Sequence, residues 1–262
     1  MYESLLPSSH ERVEVRGLTL RQLVELQSSV FLEHTNLYVV LTKLAKLIHQ
    51  SITVSLTFEE WVSTISDQDL HALVFALYRD TFGPELQLPL TCPNKQKSFN
   101  LKVNLDTQLL VSFDKDTPVD LTQKQDLELA IGSRIFTITF RPYRTLEDQL
   151  CIYATTGLSL DLTNMSRDEL SLFSLKVPTV IQISSEMGTF KRPPCTAPVG
   201  KLREWFMRLQ EVLGQAPVST ISALDPKEPP QVSFQVKYPC PECGEEHSEV
   251  LNFFLYLLER LV

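Results

Sequence analysis

Two cysteines two residues apart, in Cys240-Pro241-Glu242-Cys243-Gly244, carry the spacing in this chain most suited to chemistry. A Cys-x-x-Cys step bends the backbone into a knuckle whose two thiolates can meet one ion, and glycine at the next position accepts the positive φ that such a turn needs. His247, four residues past Cys243, is spaced to reach the same ion from the first turn of a final helix. A structural Zn²⁺ takes four ligands, and this segment supplies three. Cys92, in a second Cys-Pro turn, is the expected fourth, with Cys151 and Cys195 as weaker candidates. An iron–sulfur cluster is the alternative cofactor; it favours thiolates throughout, and three of the five cysteines are scattered. Ligands from a neighbouring subunit could complete either type.

The plainest alternative is a pair of reduced thiols in a tight turn. A thiol-redox role would put the pair at a helix N-terminus within a βαβ unit. Here a glycine and two acids follow, and Glu242, Glu245, Glu246 and Glu249 would raise rather than lower a thiol pKa. There is no G-x-S-x-G, no phosphate-cradling glycine loop and no H-E-x-x-H, and only 8 glycines to build mobile loops. The expectation is a protein without enzymatic activity.

Bulk composition narrows the partners. A formal charge of −8 argues against a nucleic-acid footprint, and the carboxylates around the knuckle would repel phosphate. No window approaches eighteen apolar residues, so no membrane span is expected. The first residues lack the basic and apolar regions of a secretory signal. Five cysteines, an odd number, do not read as a disulfide framework and favour a reducing cytoplasm.

The elements that must position these residues follow from periodicity. Val13 and Val15 alternate like a short strand. Thr19 to Gln22 has capping-box spacing, and a helical pattern runs from Leu20, Leu23 and Val24 through Val30 and Phe31 to Leu41, Leu44 and Leu47, broken near Asn36. Thr57 to Glu60 and Ser66 to Asp69 repeat the box, and Gly83 stops the helix that the second one opens. Residues 85–91 and 98–105 then alternate on both sides of a Cys-Pro turn, which predicts a hairpin. "SRIFTITFRPY" (133–143) is the clearest strand, with Ile135, Thr137 and Thr139 on one face and Phe136, Ile138 and Phe140 on the other. Short helices are predicted after Thr145 and Ser166, a buried strand or ordered connection in "VPTVIQI", and a helix ending at Gly214.

The fold class is therefore α+β: a mostly helical N-terminal unit, short antiparallel strands with Cys-Pro turns, and a C-terminal metal knuckle followed by an apolar helix. The expected units are 1–84 (helical), 85–144 (a small β unit with the first Cys-Pro turn), 145–224 (helical) and 225–262 (knuckle and terminal helix). The last helix carries an apolar stripe, Val250, Phe253, Phe254, Leu257, Leu258 and Leu261. Either it packs into the chain's own core or it docks against a partner or a second copy. One internal echo is visible: "LPLTCPNKQKSFNLKVNL" and "VKYPCPECGEEHSEVLNF" both set Cys-Pro after a strand, with Cys92 matching Cys240 and Lys95 standing where Cys243 does.

Three stretches resemble the baseplate hub and hub-assembly (chaperone) proteins of contractile-tailed bacteriophages. They are "LLPSSHERVEVRGLTLRQLVEL", "DLHALVFALYRDTFGPELQLPLTCPNKQKSFNLKVNL" and "ITFRPYRTLED", together spanning roughly residues 5–150. The chain departs from the family where related turns read Cys-Pro-x-Cys-Gly and this one reads Cys92-Pro-Asn-Lys95-Gln. The resemblance implies a structural or assembly component of a tail baseplate, made in the host cytoplasm and carried in the virion tail, with other baseplate and tail proteins as partners. The alternative function is a cellular zinc-binding adaptor or regulatory protein acting through protein–protein contacts.

Overall fold

The computed structural model describes residues 1–33, 37–113, 118–156, 179–215, 224, 227 and 229–260. Strands β1 (Tyr2–Leu5) and β2 (Arg12–Val15) form an antiparallel hairpin, followed by helices α1 (Leu20–Glu33), α2 (Leu37–Ser51), α3 (Phe58–Thr64) and α4 (Asp67–Phe82). Each capping box predicted in this region forms. Thr19, Thr57 and Ser66 each accept from the amide three residues on, and Gln22, Glu60 and Asp69 return a side-chain oxygen to the cap amide. Gly83 closes α4 at φ 86°, with its amide donating to Arg79 O. The expected break at Asn36 lies outside the described residues, as does the helix expected after Ser166.

The face of α1 differs from its predicted stripe. Leu20 and Val24 are exposed and Leu26 is buried, because the helix rotates Leu26 toward the α2–α4 core. Helix α4 is the centre of that core. Residues Leu70 to Tyr78 are almost all buried, with the exception of His71, and the helix packs against β1, β2, α2 and the C-terminal segment.

The remaining strands are antiparallel. Hairpin β3 (Glu85–Thr91)–β4 (Ser98–Asn104) falls where alternation placed it. Strand β5 (Leu109–Phe113) follows, then β6 (Gln125–Ile131) and β7 (Arg134–Phe140). Helix α5 (Leu146–Thr156) precedes β8 (Val180–Ser185), β9 (Gly188–Lys191) and helix α6 (Val199–Leu213). Strands β6-β7-β8-β9 make a four-stranded sheet in chain order; in β7 Ile138 and Phe140 are buried, while Ile135 is exposed. The chain closes with β10 (Val232–Pro239), β11 (Glu246–Val250) and helix α7 (Phe253–Glu259).

The C-terminal strands return to the middle of the chain. A three-stranded sheet runs β11-β10-β5, with Val232 opposite Phe113 and Val236 opposite Leu109. Strand pairing thus crosses the linker 225–231, and the knuckle segment is hydrogen-bonded to the region that follows the first Cys-Pro hairpin. The structure is a mixed α+β arrangement. No described helix is long and apolar enough to cross a membrane.

The final helix is shorter and starts later than periodicity suggested. The knuckle is the turn of a hairpin, so the residues after Gly244 are captured by the β10 ladder, Tyr238 opposite His247 and Gln235 opposite Val250. The helix begins only where the Asn252 side chain accepts from the Leu255 amide at 3.2 Å. His247 therefore stands on β11 and not on a helix. Of the apolar stripe, Phe253 and Leu257 are buried in the chain's own core, where Phe253 meets the rings of Phe75, Tyr78 and Phe234. Phe254 and Leu258 are half-buried, Val250 is exposed on β11, and Leu261 lies outside the described residues.

Candidate metal site

The two Cys-Pro turns are the same turn built twice. In the first, the Cys92 amide donates to Lys97 O and the Gln96 amide to Cys92 O, both at 2.8 Å. In the second, Cys240 donates to Glu245 O and Gly244 to Cys240 O, again at 2.8 Å. The fifth position of each turn takes positive φ, 54° at Gln96 and 77° at Gly244. Glycine meets that requirement at no steric cost, and the first turn meets it with a glutamine. The sequence echo is therefore an echo of backbone geometry.

Each turn also aims amides at sulfur. Lys95 N donates to Cys92 Sγ at 3.4 Å, and the amides of Cys243 and Glu242 donate to the Cys240 sulfur. Amide–sulfur bonds stabilise a thiolate, the form that ligates metal. Desolvation works against a Cys240 thiolate, but these donors outweigh it and hold its pKa below the ordinary thiol value. At Cys243 the Glu245 amide favours the thiolate, yet desolvation and the neighbouring sulfurs prevail and the pKa is raised.

The turns face each other across the two hairpins. The ligand atoms of Cys92, Cys240 and Cys243 all lie within 4.8 Å of one another. Zinc–thiolate bonds of ~2.3 Å imply sulfurs roughly 3.8 Å apart at a tetrahedral ion, a spacing that falls within that limit. Cys243 Sγ stands 3.4 Å from His247 Nε2, and Cys243, Glu245 and His247 form a second group within 4.8 Å that shares Cys243. The structure brings together Cys92, Cys240 and Cys243, and places His247 beside the last of them. Cys151 and Cys195 belong to neither group among the described residues. Glu245 was not anticipated as a ligand; its place midway between Cys243 and His247, just before β11, was the available signal.

The fourth thiolate position of the paired turns is held by Lys95. Its ammonium donates across the gap to Glu242 O. Beside it, Asn94 Nδ2 donates to Glu245 Oε2 at 2.7 Å, and Lys97 Nζ lies 3.5 Å from Glu242 Oε2. Below the tips, the hairpin roots are anchored in the core through Leu86, Leu88 and Val103 on one side and Phe234, Val236 and Tyr238 on the other.

A second polar group is buried behind α5. Asp148 Oδ1 accepts from Arg141 Nη1 at 2.8 Å and Arg192 Nη1 at 2.6 Å, and Glu147 Oε2 accepts from Arg141 Nη2 at 2.8 Å and Arg192 Nη2 at 2.6 Å. Two cations and two anions thus balance, and Asp148 also caps α5 by accepting from the Thr145 amide. Burial opposes ionisation of Asp148, but Arg141 and Arg192 outweigh it and hold its carboxyl below the ordinary range. Burial pushes the nearby Cys151 thiol up to about 12 and raises Cys195 as well, which makes both poor thiolates at neutral pH. Arg192 lies in the Pro-rich stretch 192–198, where sequence offered no pattern to reveal its role.

Fold and site together define a class: an α+β protein carrying a two-knuckle ribbon whose Cys92, Cys240, Cys243, Glu245 and His247 could hold a metal ion. Against protein-family models, curated proteins and solved structures, the chain shows no match.

Proposed function

We propose that this chain is a non-enzymatic structural or assembly component of a phage tail baseplate hub, stapled by a structural zinc at Cys92, Cys240, Cys243 and His247. The observation that carries the metal half is the convergence of three sulfurs from two identically built turns. Three thiolates and an imidazole suit zinc; an all-thiolate iron–sulfur cluster would lack its fourth cysteine where Lys95 stands.

The hub half rests on the resemblance of residues 5–150, and the packing brings parts of that span together around the start of α4. Ser8, in the first, donates through its amide to Asp69 Oδ1 at 3.0 Å and through its hydroxyl to Ser66 Oγ at 2.8 Å, at the start of α4. The adjoining Ile65 O accepts from the Leu146 amide at 2.7 Å, in the arginine-bearing stretch. The first stretch thus meets the second at Asp69, and the third meets the chain four residues before it, at Ile65. Partners are other baseplate and tail proteins, made alongside it in the host cytoplasm.

The test is quantitative mass spectrometry of baseplate intermediates and finished particles from infected cells producing this chain. Stoichiometric presence in either supports the assignment, and presence in both marks a virion component. A chain found in neither, sedimenting instead with host regulatory complexes, sinks it.

A further inference from the structure

Lys95 occupies the position of a fourth thiolate in the paired turns without being able to ligate a metal while protonated, since an ammonium has three donors and no acceptor. Its bond to Glu242 O joins one knuckle to the other, and so do the Asn94–Glu245 and Lys97–Glu242 contacts. All three run from the first turn to the second, with the donors on one hairpin and the acceptors on the other. We propose that the ribbon is closed twice, once by metal and once by this clasp of Asn94, Lys95 and Lys97 on Glu242 and Glu245, so that metal leaves and returns without loss of the knuckles.

Two physical arguments support the clasp. In a small metal-dependent module the ion supplies the folding energy, because the ligand turns have no other anchor. Here both hairpins are rooted in the main core, through Leu88 and Val103 and through Phe234 and Val236, and β10 is further held by β5. The clasp therefore needs to order only the tips. Exposed contacts of this kind are individually weak, but three spanning the same gap between anchored turns act together.

Charge gives the second argument. One zinc with three thiolates and a neutral imidazole carries a net charge of about −1, which the Lys95 ammonium offsets; a fourth thiolate would bring about −2 and hold the ion more tightly. Lysine at this position thus gives up affinity and gains a joint that survives metal loss. The metal half of this inference rests on the zinc assignment above; the clasp half does not.

The experiment uses the full chain, zinc-loaded and chelator-stripped, and follows hydrogen exchange at the Cys92, Gln96, Cys240 and Gly244 amides. Stripped wild type is expected to keep their protection within about threefold of the loaded form, whereas stripped Asn94→Ala/Lys95→Ala loses it by on the order of tenfold or more. The loaded proteins should match. Equal loss in stripped wild type and stripped double variant overturns the clasp. Lys95→Cys should slow zinc transfer to a chromophoric chelator by on the order of tenfold or more; an unchanged rate overturns the exchangeable site. If neither wild type nor Lys95→Cys takes up zinc, the metal half falls with the zinc assignment, while the stripped comparison still decides the clasp.

Discussion

At the scale of single residues, the sulfurs carry the sharpest test. Native protein should contain about one equivalent of zinc, and Cys92→Ser should lower it to a trace although Cys92 lies 148 positions from Cys240. Cys151→Ser should leave the content unchanged, because that thiol is buried beside the arginine–carboxylate group and outside the convergent set. Elemental analysis of the three proteins decides this, and iron with visible absorbance would replace zinc as the ion. The Cys-x-x-Cys spacing and the second Cys-Pro turn pointed to Cys240, Cys243 and Cys92, which the structure brings together, since each turn is only a few residues long. Spacing misplaced His247 because a helix-like apolar run beyond it hid the strand that the hairpin imposes. Nor did spacing reveal Arg192, whose partners Glu147 and Asp148 lie more than forty positions away.

At the scale of elements, two junctions hold the helices in place. The Thr145 turn and the start of α5 are fixed by Asp148, whose side chain is fully buried between Arg141 and Arg192. Asp148→Asn leaves two buried guanidiniums facing one carboxylate and should cost about 3–5 kcal/mol in chemical denaturation at pH 7. The pH dependence has a definite sign. A carboxyl whose folded pKa lies below its unfolded value of about 3.9 stabilises fully above that value, and the contribution is lost as pH falls through the lower folded pKa. The gap between wild type and Asp148→Asn should therefore be widest near neutrality and narrow in acid. A second junction packs the β2–α1 turn on the end of α4, where the Gly17 amide donates to Asp80 Oδ2 at 2.7 Å. A Cβ there would stand 2.8 Å from the Asp80 carbonyl carbon and oxygen. Because backbone cannot swing aside, Gly17→Ala should destabilise by roughly 1–3 kcal/mol, read from the thermal midpoint or a denaturant curve. The caps and the β3–β4 hairpin were legible because each is set by residues within a few positions; this close approach was not, since it is made by elements more than sixty positions apart.

At the scale of the whole molecule, what matters is that the C-terminal segment completes a sheet and a core begun before residue 113. Strand β10 lies between β5 and β11, and Phe253 brings α7 against Phe75 and Tyr78 of α4. Local periodicity cannot see such a return, because β10 reads the same whether it pairs with its neighbour alone or with a strand more than a hundred residues earlier. Removing residues 225–262 should therefore do more than delete the candidate metal turn. It leaves β5 without its partner strand and uncovers the aromatic face of α4, so the shortened chain should aggregate or lose the sharp unfolding transition of the full protein. Phe253→Ala supplies the graded version: the truncated ring leaves a cavity among Phe75, Tyr78 and Phe234 and should cost about 3–5 kcal/mol, with zinc content retained. If 1–224 instead stays soluble and unfolds as cooperatively as the full chain, the segment is an appendage. In that case Phe253 and Leu257 would become the leading candidates for a surface that a partner covers.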